Sequence, residues 1–285
     1  MKKNKIIVFG LLIVVCIFMS MNVESKSKRK ASKSKKSKEK AKAEIAVIYG
    51  DTRTGHDMHR QIVDLIMKTE PGVVFHTGDM VEDGTKEQEW KYFNDITHEL
   101  RKKVKFYPTV GNHEKSSKLY FDNFELPNNE MWYTVDYSSI HFVVLDTDVR
   151  LKEGAEQYTW LENDLQKNNS KYKVLIFHYP PYSTGSHGDE LRLQKYLVPL
   201  IENSKVDMVF NGHDHQYERS YVNGVYYIVA GGGGAPLRAQ KENSPYSQKY
   251  IEDYHFCVLS TADDKLDVKV YDLDMNIIDE FSKTK

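Results

Sequence analysis

Cysteine is scarce: Cys16 and Cys257 are the only two in 285 residues. If the N-terminal apolar run that holds Cys16 is removed, one thiol remains and no internal disulfide can form. Cys257 lies in the strand-like run His255–Ser260, where a buried structural thiol is expected. Long apolar runs are also missing. The longest, Ile6–Met19, falls short of the ~20 residues a membrane-spanning helix usually needs. No internal repeat is visible, which excludes a repeat architecture. Net charge is nearly absent too, at -1, but that figure hides a split. Residues 1–42 carry 13 Lys/Arg and 2 Asp/Glu, leaving 27 basic and 39 acidic residues and a net of -12 to the rest. Nucleic acid is therefore not expected as a partner of the folded part.

Three lysines, Lys2, Lys3 and Lys5, precede the apolar run. A basic start followed by such a run is the pattern of a secretory signal. Residues 1–24 are read as a signal peptide or N-terminal membrane anchor. There is no clean cleavage pair; the region around Ser20 to Ser25 is the best candidate. Residues 25–43 are Lys/Ser-rich and too polar to fold, so they are read as a disordered linker. The expected location is secreted, periplasmic or membrane-anchored on the outer side, with possible membrane or cell-envelope association through the N-terminal segment. The dense positive charge after the apolar run pulls the other way, because such charge tends to stay cytoplasmic.

From Glu44 onward the pattern changes. Ile45–Tyr49 is an apolar run ending in Gly50-Asp51. Residues 56–68 carry Ile62, Val63, Leu65 and Ile66 at helical spacing. Val73–Thr77 ends in Gly78-Asp79, and a helical stretch with Trp90, Tyr92 and Phe93 follows. Lys105–Val110 leads into Gly111-Asn112-His113-Glu114. Further strand-like runs are Trp132–Tyr137, Ile140–Leu145, Val174–Phe177, Val206–Phe210, Val225–Ala230, His255–Ser260 and Leu266–Tyr271, with helices expected over 155–167 and 189–203. Strands alternating with helices predict a layered α/β domain over 44–285, with no second boundary.

Metal-capable residues recur at the carboxyl ends of the apolar runs: Asp51, Asp79, Asn112 with His113, His178, and His213 with His215. Ligand sites of open α/β sheets lie at that edge, so the clusters should converge. Carboxylate, amide oxygen and imidazole suit Fe, Mn or Zn, and no thiolate is present to demand a softer metal. Two such ions about 3.5–4 Å apart can clamp the attacking and leaving oxygens of an in-line displacement. Each cluster alone is weak, since a Gly-Asp at a strand end is more often a plain turn. All of them in order are hard to assign to chance.

These residues resemble the calcineurin-like metallophosphoesterases. The match runs from about Glu44 to at least Gly234 and includes Gly78–Gly84 and Gly212-His213-Asp214-His215. The stretches His178–Tyr182, Gly212–Ser220 and Tyr227–Gly234 are similar to the purple acid phosphatase-like branch. The resemblance implies a single catalytic domain, a four-layer α/β/β/α sandwich, with a dinuclear site of divalent or trivalent transition-metal ions. Asp51, Asp79 and His215 would hold the first ion. Asp79, Asn112, His178 and His213 would hold the second, with Asp79 bridging. A metal-held hydroxide would attack phosphorus, with His113 stabilising the transition state or protonating the leaving oxygen. His187 resembles a substrate-side histidine.

Three departures stand out. Many relatives have Asp-x-His at the first motif, but Arg53 occupies the third position; it can hold substrate phosphate through its fork of donors or be structural. Purple enzymes place a Tyr three residues after the bridging Asp, where this chain has Glu82, so no tyrosinate–iron colour is expected. Only a linker precedes Glu44, leaving no room there for the N-terminal sandwich domain of large plant-type relatives. Gly231–Gly234 has no Gly-Lys-Ser/Thr and is read as a tight loop at the site's rim. His76 and His141 are read as structural, and His56 as a possible neighbour of the site. The leading function is an acid phosphatase-like phosphomonoesterase. A phosphodiesterase acting on nucleotides or lipids, and a non-catalytic binding module, are the alternatives.

Overall fold

The computed structural model describes residues 44–285. The apolar run, the Lys/Ser segment and Cys16 lie outside the described residues. Two β-sheets form the centre. The first has six strands in the order β13-β12-β11-β1-β2-β3. These are β1 (Ile45–Tyr49), β2 (Val73–His76), β3 (Lys105–Pro108), β11 (Phe256–Ala262), β12 (Lys265–Tyr271) and β13 (Ile277–Thr284). The second has seven in the order β10-β8-β9-β7-β6-β5-β4. These are β4 (Tyr133–Tyr137), β5 (Ile140–Val144), β6 (Tyr172–Ile176), β7 (Met208–Asn211), β8 (Tyr217–Val222), β9 (Val225–Ala230) and β10 (Ser247–Ile251).

Side-chain alternation sets the layers, because neighbouring strand residues face opposite sides. In the second sheet Phe142, Val144, Val174 and Ile176 face the first sheet within one apolar core. Val143, Leu145, Leu175 and Phe177 point the other way, into a second core. That core is capped by α4 (Glu156–Lys167), α5 (Leu191–Tyr196) and α6 (Val198–Asn203). On the first sheet's outer face lie α1 (His56–Lys68) and α2 (Glu87–Lys103). The expected α/β/β/α layering is therefore present. Phe75 and Phe142 stack across the two sheets with centroids 4.3 Å apart. Truncating either to Ala would cost about 3–5 kcal/mol.

Helix α2 illustrates local consistency. Trp90, Phe93, Thr97 and Leu100 bury one face. Glu87 and Glu89 open it and Arg101, Lys102 and Lys103 close it, in the sense favoured by the helix dipole. The short α3 (Lys118–Asn123) buries Tyr120 beneath it. The helix expected over 189–203 is two short ones, broken at Leu197. Pro199 opens the second turn, where its missing N–H costs no helical hydrogen bond. Strands β8, β10 and β13 were not anticipated. Both β10 and β13 are edge strands; in β13 only Phe281 is buried, so apolar alternation is faint. Cys257 is buried in β11, as expected.

Candidate metal centre

Parallel neighbours deliver the site residues. β1 and β2 run side by side, so Asp51 and Asp79 leave the first sheet together. Their turns are stitched: Asp51 N–H donates to Gly78 O at 3.0 Å and Thr52 N–H to Asp79 O at 3.0 Å. Parallel β6 and β7 deliver His178 and His213 from the second sheet, with Gly212 N–H donating to His178 O at 2.9 Å. Asn112 and His113 follow β3. Five chain segments thus meet at the carboxyl edges of the two sheets.

The convergence is tight on one side. Asn112 Oδ1 lies 3.1 Å from His178 Nε2 and 3.1 Å from His213 Nδ1. The two imidazole nitrogens are 3.3 Å apart, and His178 Nε2 is 3.4 Å from Asp79 Oδ1. A tetrahedral set with bonds of ~2.0–2.1 Å has ligand–ligand edges of ~3.3 Å. The donors are also aimed. His178 Nδ1–H donates to Thr77 O at 2.9 Å, which turns Nε2 toward the site. His215 Nδ1–H donates to Pro236 O at 2.8 Å. Its Nε2 is then bare, buried and without a hydrogen-bond partner, 3.7 Å from Asp51 Oδ1. An orphaned buried nitrogen facing a buried carboxylate fits a cation site.

Electrostatics agree. Burial disfavours charge on His178, but Asp79 outweighs it and pushes the pKa up to about 10. Burial, then the His178 charge, pulls His213 down to about 2. Burial and Arg238 lower His215 to about 4. Burial raises Asp51 well above the carboxylate range, against the pull of His178 and with the help of Asp79. Asp79 itself is buried yet held low by His178 and His113. Such a cluster shares protons that a metal ion displaces on binding.

The backbone is strained to achieve this. Asp51, Asp79 and His213 have φ of 57°, 56° and 72°. That left-handed region is uncommon for residues with a Cβ, and strain of this kind collects at functional sites. Glycine is needed at two close approaches. A Cβ on Gly111 would lie 2.4 Å from Asp79 Oδ1, and one on Gly212 2.3 Å from Asp51 Oδ2.

Around the ligand set, His113 Nδ1–H donates to Glu82 O at 2.6 Å, and its Nε2 lies 3.8 Å from Asp79 Oδ2. Arg53 pairs with Glu82, and its Nε stands 3.6 Å from Asp79 Oδ2. His187 is half-exposed at the rim, with its ring centroid 4.0 Å from that of His213. Gly233 N–H donates to Gly50 O at 2.8 Å, so the glycine run does close over the first motif. His76 accepts from Gly78 N–H at 3.2 Å and supports that turn. His141 is clamped between Asp136 and Asp164. His56 packs on Tyr92 with centroids 4.7 Å apart and makes no recorded contact with the site.

Three supporting residues escaped the sequence reading. Glu114 accepts backbone N–H groups from Asp79 at 2.9 Å, Met80 at 2.8 Å and Gly111 at 2.7 Å. Buried Asp214 accepts from Ser183 Oγ at 2.6 Å and from the His187 N–H at 3.1 Å. Both were visible inside the motifs, as the acidic residues not assigned to metal. Arg238 Nη1 lies 2.7 Å from His187 Nδ1, and no motif marks it.

Residues 46–217 match the family model described as calcineurin-like phosphoesterase. Purple acid phosphatase 21 of Arabidopsis thaliana is 29% identical over 218 residues, covering 65% of this chain and 50% of the relative. Purple acid phosphatase 15 of the same plant is 33% identical over 178 residues, covering 53% and 33%. The chain spans half or less of the length of these curated relatives. A purple acid phosphatase isolated from yellow lupin (Lupinus luteus) seeds shares the fold with a TM-score of 0.77 at 21% identity, over 86% of this chain and 54% of that one.

Proposed function

Since the chain belongs to the calcineurin-like phosphoesterase family, on the side of its purple acid phosphatase relatives, we propose that it is a metal-dependent phosphoric ester hydrolase acting chiefly on phosphomonoesters. The observation that carries this is the convergence of Asp79, Asn112, His178 and His213, each with a donor atom 3.1–3.4 Å from at least one of the others. Those four would hold one ion, and Asp51, Asp79 and His215 a second. The bound ions supply Lewis-acid charge for the phosphoryl oxygens and lower the pKa of water.

The chain's own groups do the rest. His113 is oriented by its bond to Glu82 O, and its Nε2 lies 3.8 Å from Asp79 Oδ2. Its Nε2 is the group that would hand a proton to the leaving oxygen. His187 and Arg238 present donors at the opposite rim and orient the ester. Arg53 adds a fixed positive charge beside Asp79. Ions held there, with these cations, would offset the acidic net charge of the domain for an anionic substrate. We place the enzyme outside the cytoplasm, secreted or anchored on the outer side, on the strength of the basic and apolar start of the sequence.

The test compares an aryl phosphomonoester with its bis-ester, with and without chelator, for wild type and His113→Ala. Wild type should lose activity on chelation and regain it with Mn, Zn or Fe. His113→Ala should fall by about 10²–10⁴-fold, the usual size of general acid catalysis. Equal, metal-independent rates for both proteins would refute the reading. Faster turnover of the bis-ester would make the protein a phosphodiesterase.

A further inference from the structure

The two sides of Asp79 are unequal. Toward His178, the Asn112, His178 and His213 donors lie 3.1–3.3 Å apart, with His178 Nε2 3.4 Å from Asp79 Oδ1, and Asp79, His178 and His213 fall within 4.8 Å of one another. Toward Asp51, the donors are Asp51, Asp79 and His215, and the chain puts a cation of its own among them. Arg53 Nε stands 3.6 Å from Asp79 Oδ2. Its Nη1 is ion-paired to Glu82. The guanidinium is not on a free arm. Arg53 N–H donates to Asp79 O at 3.2 Å, Gly55 N–H donates to Arg53 O at 2.7 Å, and the side chain is only 13% exposed. Guanidinium keeps its charge at every physiological pH. It therefore satisfies part of the Asp79 charge permanently and repels any second cation placed there.

We propose that Arg53, anchored by Glu82, is the resident cation on the Asp51 side, so that this position binds its metal ion weakly and exchangeably while the His178 side retains its ion. Arg53 is a positioning residue for charge rather than a ligand. Occupancy of the second position, and with it the fully loaded enzyme, then follows the free metal concentration around the protein. This rests on reading the site as a metal centre.

The experiment reads metal content and affinity, not turnover. Full-length protein is loaded with excess Mn or Zn, dialysed against metal-free buffer and analysed for ions per chain. Wild type should keep one. Arg53→Met, which removes the charge and adds no ligand, should bind the second ion about ten-fold more tightly or better in a metal titration, as expected for one nearby like charge removed. Arg53→Lys should stay like wild type. Arg53→Gln repeats the charge removal if the Met variant misfolds, with thermal unfolding as the folding control. Retention of two ions by wild type, or an unchanged second affinity in the neutral variants, overturns the proposal. His213→Ala separates the two readings, since it should lose the retained ion. If wild type and His213→Ala both retain none, the metal centre itself is refuted.

Discussion

Glu114 offers the sharpest test of how the site is held. It is fully buried. Its Oε2 accepts from Asp79 N–H at 2.9 Å and Gly111 N–H at 2.7 Å, and its Oε1 from Met80 N–H at 2.8 Å and Val81 N–H at 3.4 Å. One carboxylate thus ties the second motif to the third. Burial and the Asp79 charge push its pKa up to about 8, against the pull of these backbone donors. A proton on either oxygen would point at an N–H, so the ionised form suits the geometry. Glu114→Gln keeps the shape but turns an NH2 group onto two backbone donors. Two orphaned donors at about 1–3 kcal/mol each sum to about 2–6 kcal/mol. A domain of ~5–15 kcal/mol would notice. Urea denaturation of the metal-free proteins measures it, with metal retention as a second readout. A loss under about 0.5 kcal/mol with unchanged metal content would refute the argument, because it would mean that Glu114 is a neutral acid.

Other outcomes follow from single contacts. Gly212→Ala puts a Cβ 2.3 Å from Asp51 Oδ2; it should fold but lose metal and most activity, and wild-type metal content would contradict this. Burial opposes charge on His141, but the bonds to Asp164 and Asp136 raise its pKa. Its stabilisation is then complete below the unfolded value of ~6.5 and is lost as pH rises through the raised folded value. His141→Gln should therefore lose more thermal stability at about pH 6 than at about pH 9, and an equal loss at both would refute the assignment. Arg238→Gln removes the charge beside His187; KM for an aryl phosphate should rise about ten-fold or more with kcat little changed, and an unchanged KM would rule Arg238 out of substrate binding.

The convergence of the candidate ligands was legible because each sits where a buried strand stops. Val73–His76 is apolar enough to be read as a strand, and the Gly-Asp after it is local in sequence. Parallel pairing then makes convergence a consequence of topology. The supporting shell is not local. Arg238 reaches His187 across 51 residues, and Glu82 meets Arg53 across 29. Arg53 and Glu82 each stood out alone as departures from the family pattern; that they answer each other needed coordinates. The strand β8 hid behind its charges: Glu218 and Arg219 break the apolar look of Tyr217–Val222, yet Glu218 is buried under Thr184 and Arg219 pairs with Asp279 of β13. The break at Leu197 did have a local sign in Pro199, which belongs at a helix start rather than in a helix interior.

The left-handed backbone at Asp51, Asp79 and His213 carries an evolutionary consequence. Glycine adopts that conformation without a steric penalty. At these three positions selection for chemistry and selection for folding pull in opposite directions. Were the proposed chemistry dispensable, glycine at these positions would relieve the backbone strain while leaving the architecture in place.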